Sequence, residues 1–181
     1  IDDKNRKVVL ELLSYFSKSE LFGSQGIIKN EPSLDKGILL FGPCGVGKSD
    51  LFEIFKRIGR FLAKYGYMQL YFIDYTAKEI VKNKEDLSKN KSERSPNLKP
   101  LNLNSGTIYI DDVGTEPKFF GQEVIGDLFQ ERYMKSKRKP QRTLITSNMN
   151  PSELSEKYGI QVEDRIPEMF NIIKWEGDSR R

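Results

Sequence analysis

Gly37-Ile38-Leu39-Leu40-Phe41-Gly42-Pro43-Cys44-Gly45-Val46-Gly47-Lys48-Ser49 is the stretch that decides the fold. The run GILLF is short and wholly apolar, as expected of a strand covered on both faces of a parallel sheet. The eight residues after it fit G-x-x-x-x-G-K-[ST], a glycine-rich turn that wraps phosphates with backbone N–H groups. From Lys48 onward Leu51, Ile54, Phe55, Ile58, Phe61 and Leu62 recur with helical period until Gly66. Strand, phosphate loop and amphipathic helix thus follow in the order the chemistry requires. The helix N-terminus adds a positive dipole end to the loop.

This reading assigns Gly42, Pro43, Cys44, Gly45, Val46, Gly47, Lys48 and Ser49, with Asp50 at their edge, to a nucleoside triphosphate. Lys48 would neutralise the β and γ phosphates, and the Ser49 hydroxyl would take one Mg²⁺ coordination position. Cys44 occupies a variable loop position where many small residues serve, and nothing nearby activates its thiol.

Working outward, residues 4–17 place Val8, Val9, Leu12, Leu13 and Phe16 on one helical face. Met68–Asp74 reads as a second strand, and a helix is expected from Thr76 to Lys84. A polar stretch, 84–104, reads as loop. Thr107–Ile110 reads as a third strand, Gln122–Lys137 as a helix and Thr143–Thr146 as a fourth strand. Helices at Pro151–Tyr158 and Val162–Phe170 precede a closing strand at Asn171–Trp175. Alternating strands and helices predict a three-layer α/β sandwich with a mostly parallel five-stranded sheet, the P-loop NTPase class.

Two further strand ends carry candidate chemistry. Ile108-Tyr109-Ile110-Asp111-Asp112 places two carboxylates at the sheet edge where such folds bind ligands. Asp111 would hold Mg²⁺, and Asp112 could polarise the attacking water. Thr146-Ser147-Asn148 ends another strand in small polar groups. Asn148 there is either a γ-phosphate or water contact or an ordinary helix cap or turn before Pro151.

Composition narrows the alternatives. The 181 residues suffice for one domain, with 37% apolar and 31% charged residues. There is no histidine and one cysteine, which excludes Ser-His and Cys-His nucleophilic chemistry, histidine metal sites and an internal disulfide. Without an apolar run near 20 residues, a cytoplasmic location and no membrane association are the default expectation. The net charge of +4 permits nucleic-acid binding without arguing for it.

GPCGVGKS, IDDVG followed by Glu116, Glu131-Arg132-Tyr133, TSN at 146–148, Glu163-Asp164-Arg165-Ile166 and Gly177-Asp178-Ser179-Arg180-Arg181, in that order, resemble the AAA+ ATPases of the bacterial replicative helicase loader family. Close relatives of that family include the transposition helper ATPases of insertion sequences. The resemblance spans about 37–181. It implies an AAA+ core with a small or absent lid, and a single ATPase domain over 1–181, with 1–36 an N-terminal helix and linker. The family's separate N-terminal partner-binding region is expected to be absent from this chain.

By the same likeness Asn148 is the sensor 1 residue, Arg165 the arginine finger offered to a neighbouring subunit's ATP and Arg181 the sensor 2 arginine. The structural alternative for Arg165 is a surface ion pair to Asp164 or Glu168. ATP and Mg²⁺ are the implied ligands. Self-association through ATP interfaces, a replicative helicase or transposase as client, and single-stranded DNA are the implied partners. Lys135, Lys137, Arg138, Lys139 and Arg142 could serve the DNA, as could Tyr71, Phe72 and Tyr75, though a solvated helix end accounts for the basic run at least as well and core packing accounts better for most of the aromatics. Two other functions remain open: a P-loop nucleotide or small-metabolite kinase, and a nucleotide-dependent DNA-binding module with little hydrolysis.

Overall fold

The computed structural model describes residues 3–139, 141–177 and 179. Its elements are α1 (Asp3–Phe16), β1 (Gly37–Phe41), α2 (Lys48–Ala63), β2 (Ile73–Thr76), α3 (Ala77–Ser88), β3 (Ile108–Val113), α4 (Val124–Ser136), β4 (Thr143–Ser147), α5 (Pro151–Tyr158), α6 (Ile160–Glu163), α7 (Ile166–Met169) and β5 (Phe170–Lys174). The sheet runs β2-β3-β4-β1-β5, with every neighbouring pair parallel. This is the expected fold class. β4 sits between β1 and β3, so the phosphate loop after β1 and the acidic end of β3 flank the polar end of β4.

The period of two along each strand divides the core into two layers. Ile38, Leu40, Tyr109, Leu144 and Ile173 face α1 and α2, where they meet Leu12, Phe16, Phe52 and Phe55. Leu39, Phe41, Ile108, Ile110 and Ile145 face the opposite layer, packed with Ile80, Ile125, Leu128, Phe129 and Leu154. Tyr109 and Asp111 share a parity. Asp111 therefore points to the α2 side, where Ser49 lies.

Three local expectations differ from the structure. The second strand covers Ile73–Thr76 rather than Met68–Asp74, because α2 ends near Gly66 and residues 67–72 form a turn in which the Tyr71 N–H donates to the Met68 carbonyl. Thr76 then caps α3 through a reciprocal pair with Glu79, and the helix extends to Ser88, into the stretch expected to be loop. The helix expected over 162–170 is broken into α6 and α7. Pro167 lacks the N–H that a continuous helix needs, so it starts a new one, with Arg165 at its N-cap.

Among the aromatics offered to DNA, Phe72 is buried against Phe16, Phe52 and Tyr109, and Tyr75 packs on the opposite core layer. Core packing is their role; Tyr71 remains exposed.

Candidate nucleotide and metal site

Gly42 and Gly45 show why the loop needs glycine. Both have positive φ, 156° and 81°. A Cβ on Gly42 would collide with the Trp175 carbonyl, and one on Gly45 with Ser179 Oγ. Trp175 extends the sheet by donating its N–H to the Phe41 carbonyl at 2.8 Å, and its ring reaches the underside of Gly47. The C-terminal segment thus crosses the phosphate loop, with Ser179 against Gly45. Arg181, the expected sensor 2 residue, lies outside the described residues.

Lys48 opens α2 and is 5% exposed. Its ammonium donates to the carbonyls of Gly42 and Pro43, at 2.9 and 2.8 Å, and to Asn148 Oδ1 at 2.8 Å. It points into the loop. The capping alternative for Asn148 falls away, because the residue that caps α5 is Asn150, whose side chain accepts from the Glu153 N–H while Glu153 accepts from Asn150. Asn148 instead stands exposed at the end of β4, facing the lysine.

Ser49 Oγ donates to Asp111 Oδ1 at 2.8 Å. The same carboxylate oxygen accepts from the Tyr109 hydroxyl at 2.6 Å and from the Thr146 hydroxyl. Asp112 follows one residue later, so simple alternation would send it to the other face of the sheet. The register between β3 and β4 slips between Ile110 and Val113, and Asp112 adopts a left-handed φ of 54°. That irregularity re-aims the side chain, which lines a pocket of ≈ 110 Å³ with Cys44, Gly45, Lys48, Ser49, Asp50 and Asn148. A non-glycine residue in this conformation carries strain of the kind that functional sites retain.

The donor set suits a triphosphate with a hard divalent cation. One hydroxyl and one carboxylate meet at the N-terminus of a 16-residue helix, beside a buried lysine. Among the described residues no cluster of three or more carboxylate, histidine or cysteine ligands forms a metal cage. Mg²⁺ binds through one or two protein oxygens, phosphates and water, so no cage is needed.

The other residues of interest lie elsewhere. Arg165 sits before the start of β5, at the sheet end opposite the phosphate loop, since Phe170 pairs with Gly37 and Lys174 with Phe41. Its guanidinium lies over the Tyr133 ring, 4.9 Å from the centroid, and among the described residues it forms no ion pair with Asp164 or Glu168. Tyr133 donates to Glu168 at 2.7 Å. In the basic run, Lys135 lies 3.8 Å from Glu131, Lys137 lies 4.4 Å from the Tyr133 ring centroid and 4.0 Å from Glu168, and Arg142 stacks on Tyr15.

Glu116 is 3% exposed and accepts from the Gly114 N–H and the Tyr158 hydroxyl, at 2.9 and 2.6 Å, with Lys157 at 3.6 Å. It fixes the turn after β3 rather than facing the pocket. Arg132 was missed as a structural residue. It is fully buried without a carboxylate, and it donates to Thr143 Oγ1 and to the carbonyls of Leu103, Gly106 and Arg142. Burial lowers its proton affinity.

No protein-family model matches the chain, and no curated protein matches it. Solved structures do. A protein described as a primosome component of Streptococcus pyogenes serotype M3 superposes with a TM-score of 0.57 at 18% identity, over 99% of this chain and 84% of that one. DnaI superposes with a TM-score of 0.57 at 20% identity, over 99% and 86% of the two chains. AMPPCP-bound DnaA from Aquifex aeolicus gives 0.59 at 19% identity, over 98% of this chain but 48% of its own. At such identities the likeness speaks to fold. The chain shares with DnaI and DnaA the P-loop nucleoside triphosphatase fold, a parallel five-stranded sheet between layers of helices.

Proposed function

We propose that the chain is an ATPase of the helicase loader type, acting in DNA replication or mobile-element transposition, with ATP binding as its switch. The observation that carries the nucleotide site is the convergence of Lys48, Ser49, Asp111, Asp112 and Asn148 on one loop, drawn from three strand ends. Lys48 meets the β and γ phosphates, exchanging its carbonyl partners for phosphate oxygens. Ser49 and Asp111 would hold Mg²⁺, which supplies charge neutralisation to the phosphates when bound.

Asp112 takes the proton of a water as its oxygen bonds to the γ-phosphorus and the bond to the β-bridging oxygen breaks, giving ADP and phosphate. Asn148 holds the γ-phosphate or that water. Arg165, at the far end of the sheet, cannot serve its own chain's pocket, so it is assigned to a neighbouring copy's ATP. Hydrolysis then depends on assembly. The client is a replicative helicase or transposase, and single-stranded DNA is a further ligand; the replication proteins that share the fold support this choice over a small-metabolite kinase.

ATP turnover measured with and without single-stranded DNA, for the natural sequence and Asp112→Asn, tests the reading. Asn tolerates the left-handed backbone that Asp112 requires, so the variant should bind ATP normally and lose about 10²- to 10⁴-fold in turnover. Absence of turnover in the natural sequence under every condition would leave only the nucleotide-dependent binding module.

A further inference from the structure

Asp111 Oδ1 accepts three hydroxyl donors, Ser49, Tyr109 and Thr146, while Oδ2 accepts none among the described residues. An oxygen with two in-plane lone pairs is crowded by three donors, and Ser49 is the one whose hydroxyl has another use. We propose that Tyr109 and Thr146 form a hydroxyl clamp that positions the Asp111 carboxylate for the divalent cation and frees Ser49 Oγ for the same ion. The proposal rests on the nucleotide-site reading above.

The clamp is built from the core rather than from the loop. Tyr109 is 5% exposed, stacked on Phe52 with centroids 4.4 Å apart and planes at 15°, and edge-on to Phe72. An apolar cage of this kind fixes the ring, so its hydroxyl meets the carboxylate two residues along the same strand face. A phenol buried there without a partner would be costly, and its proton goes to Asp111. Thr146 is fully buried in β4, one strand over. Its hydroxyl donates to Asp111 and accepts the Asp112 N–H at 3.2 Å. One side chain thus ties the carboxylate of the first aspartate to the backbone of the second, at the register slip that turns Asp112 into the pocket.

Partners outside the coordination sphere set the orientation of a metal-binding carboxylate, and their removal typically lowers metal affinity about 10- to 100-fold. Tyr109 and Thr146 are positioning residues in this sense. A role confined to packing would leave metal affinity untouched.

The test is a Mn²⁺ titration, with free Mn²⁺ followed by electron paramagnetic resonance, on the full chain saturated with ADP. Tyr109→Phe keeps the ring stack and should weaken Mn²⁺ binding about tenfold, with ADP affinity in EDTA and the melting temperature near those of the natural sequence. Thr146→Val should weaken Mn²⁺ binding comparably, and Thr146→Ser, which restores the hydroxyl, should bind as the natural sequence does. Mn²⁺ affinity within about twofold of the natural sequence in a folded Tyr109→Phe overturns the clamp. Equal weakening in Thr146→Ser and Thr146→Val also overturns it, because the hydroxyl is then not the cause. If the natural sequence fails to bind ADP, the nucleotide-site reading falls first, an outcome distinct from either.

Discussion

The Lys48 ammonium donates to the Asn148 side-chain oxygen at 2.8 Å, joining residues 100 positions apart in the chain. The first residue of α2 and the residue just beyond β4 meet because β4 is inserted beside β1, and the two loops open at the same sheet edge. Lysine can only donate, so the asparagine presents its carbonyl oxygen to it. On the proposed reading, a phosphate that takes the lysine would release Asn148 to act on the γ-phosphate or water.

Removal of the two partners should therefore have different effects. Lys48→Ala is expected to weaken ATP binding by about 100-fold, the loss of roughly 3 kcal/mol of charged contacts. Asn148→Ala should leave binding within a few fold and reduce turnover. Trp175 is the chain's one tryptophan and lies beneath Gly42 and Gly47. Its emission on titration with ATP gives the binding curve for each variant; equal loss of binding in both would show that Asn148 supports the lysine rather than the reaction.

Arg132 should matter to stability and not to the site. Its guanidinium joins α4 to the start of β4 and to the loop at 103–106 through four hydrogen bonds. Arg132→Ala strips partners from three carbonyls and a hydroxyl and opens a cavity, at a cost of about 3 to 5 kcal/mol. For a domain of this size that lowers the melting temperature by roughly 6 to 20 °C. Calorimetry reads the shift, and ATP affinity of the folded variant below its melting point should be unchanged.

Arg132 also marks the boundary of what the sequence discloses. β1, the phosphate loop and α2 were legible because an apolar run, glycines and a 3.6-residue period each leave a local signature. The common assignment of Ser49 and Asp111 to Mg²⁺ was legible because each stands in a local motif, the phosphate loop and the acidic strand end. By contrast, an arginine among charged neighbours on an amphipathic helix reads as solvent-facing, and only the tertiary acceptors around it reverse that. Tyr109 reads as one more apolar strand residue, since nothing local shows that its hydroxyl meets Asp111. Asp112 reaches the pocket through a register slip that depends on the partner strand. The break at Pro167 was present in the sequence but was outweighed by the helical periodicity on either side of it.

Buried phenols make the fold sensitive to alkali. Burial pushes Tyr15 up to about 12, and Tyr109 and Tyr158 are raised further by burial beside Asp111 and Glu116. A phenol near its ordinary value of about 10 in the unfolded chain loses its proton first there. Stability is therefore full below about pH 10 and falls as pH rises toward 12, by about 2 to 3 kcal/mol for Tyr15 alone. Urea midpoints at pH 8 and pH 11 should show the decline, with phenolate absorbance from these tyrosines rising only as the chain unfolds. Tyr15→Phe should reduce the slope; an unaltered slope would place the alkaline sensitivity elsewhere.

Arg165 yields the prediction that separates action between copies from action within one. It precedes β5 at the end of the sheet opposite Gly42, and five strand residues at about 3.3 Å each separate the two edges. Tyr133 holds the guanidinium at the surface by stacking, and Glu168 in turn fixes Tyr133, so the cation is presented rather than neutralised. Arg165→Ala should bind ATP as the natural sequence does while turnover falls about 10³-fold or more. Lys48→Ala should also be inactive, with its Arg165 intact. An equimolar mixture of the two variants creates interfaces with a working Lys48 from one copy and a working Arg165 from the other, so turnover should return to a substantial fraction of that of the natural sequence. Dilution below the assembly concentration should abolish the recovery. A mixture as inactive as its components would mean that the arginine packs against Tyr133 and does nothing more.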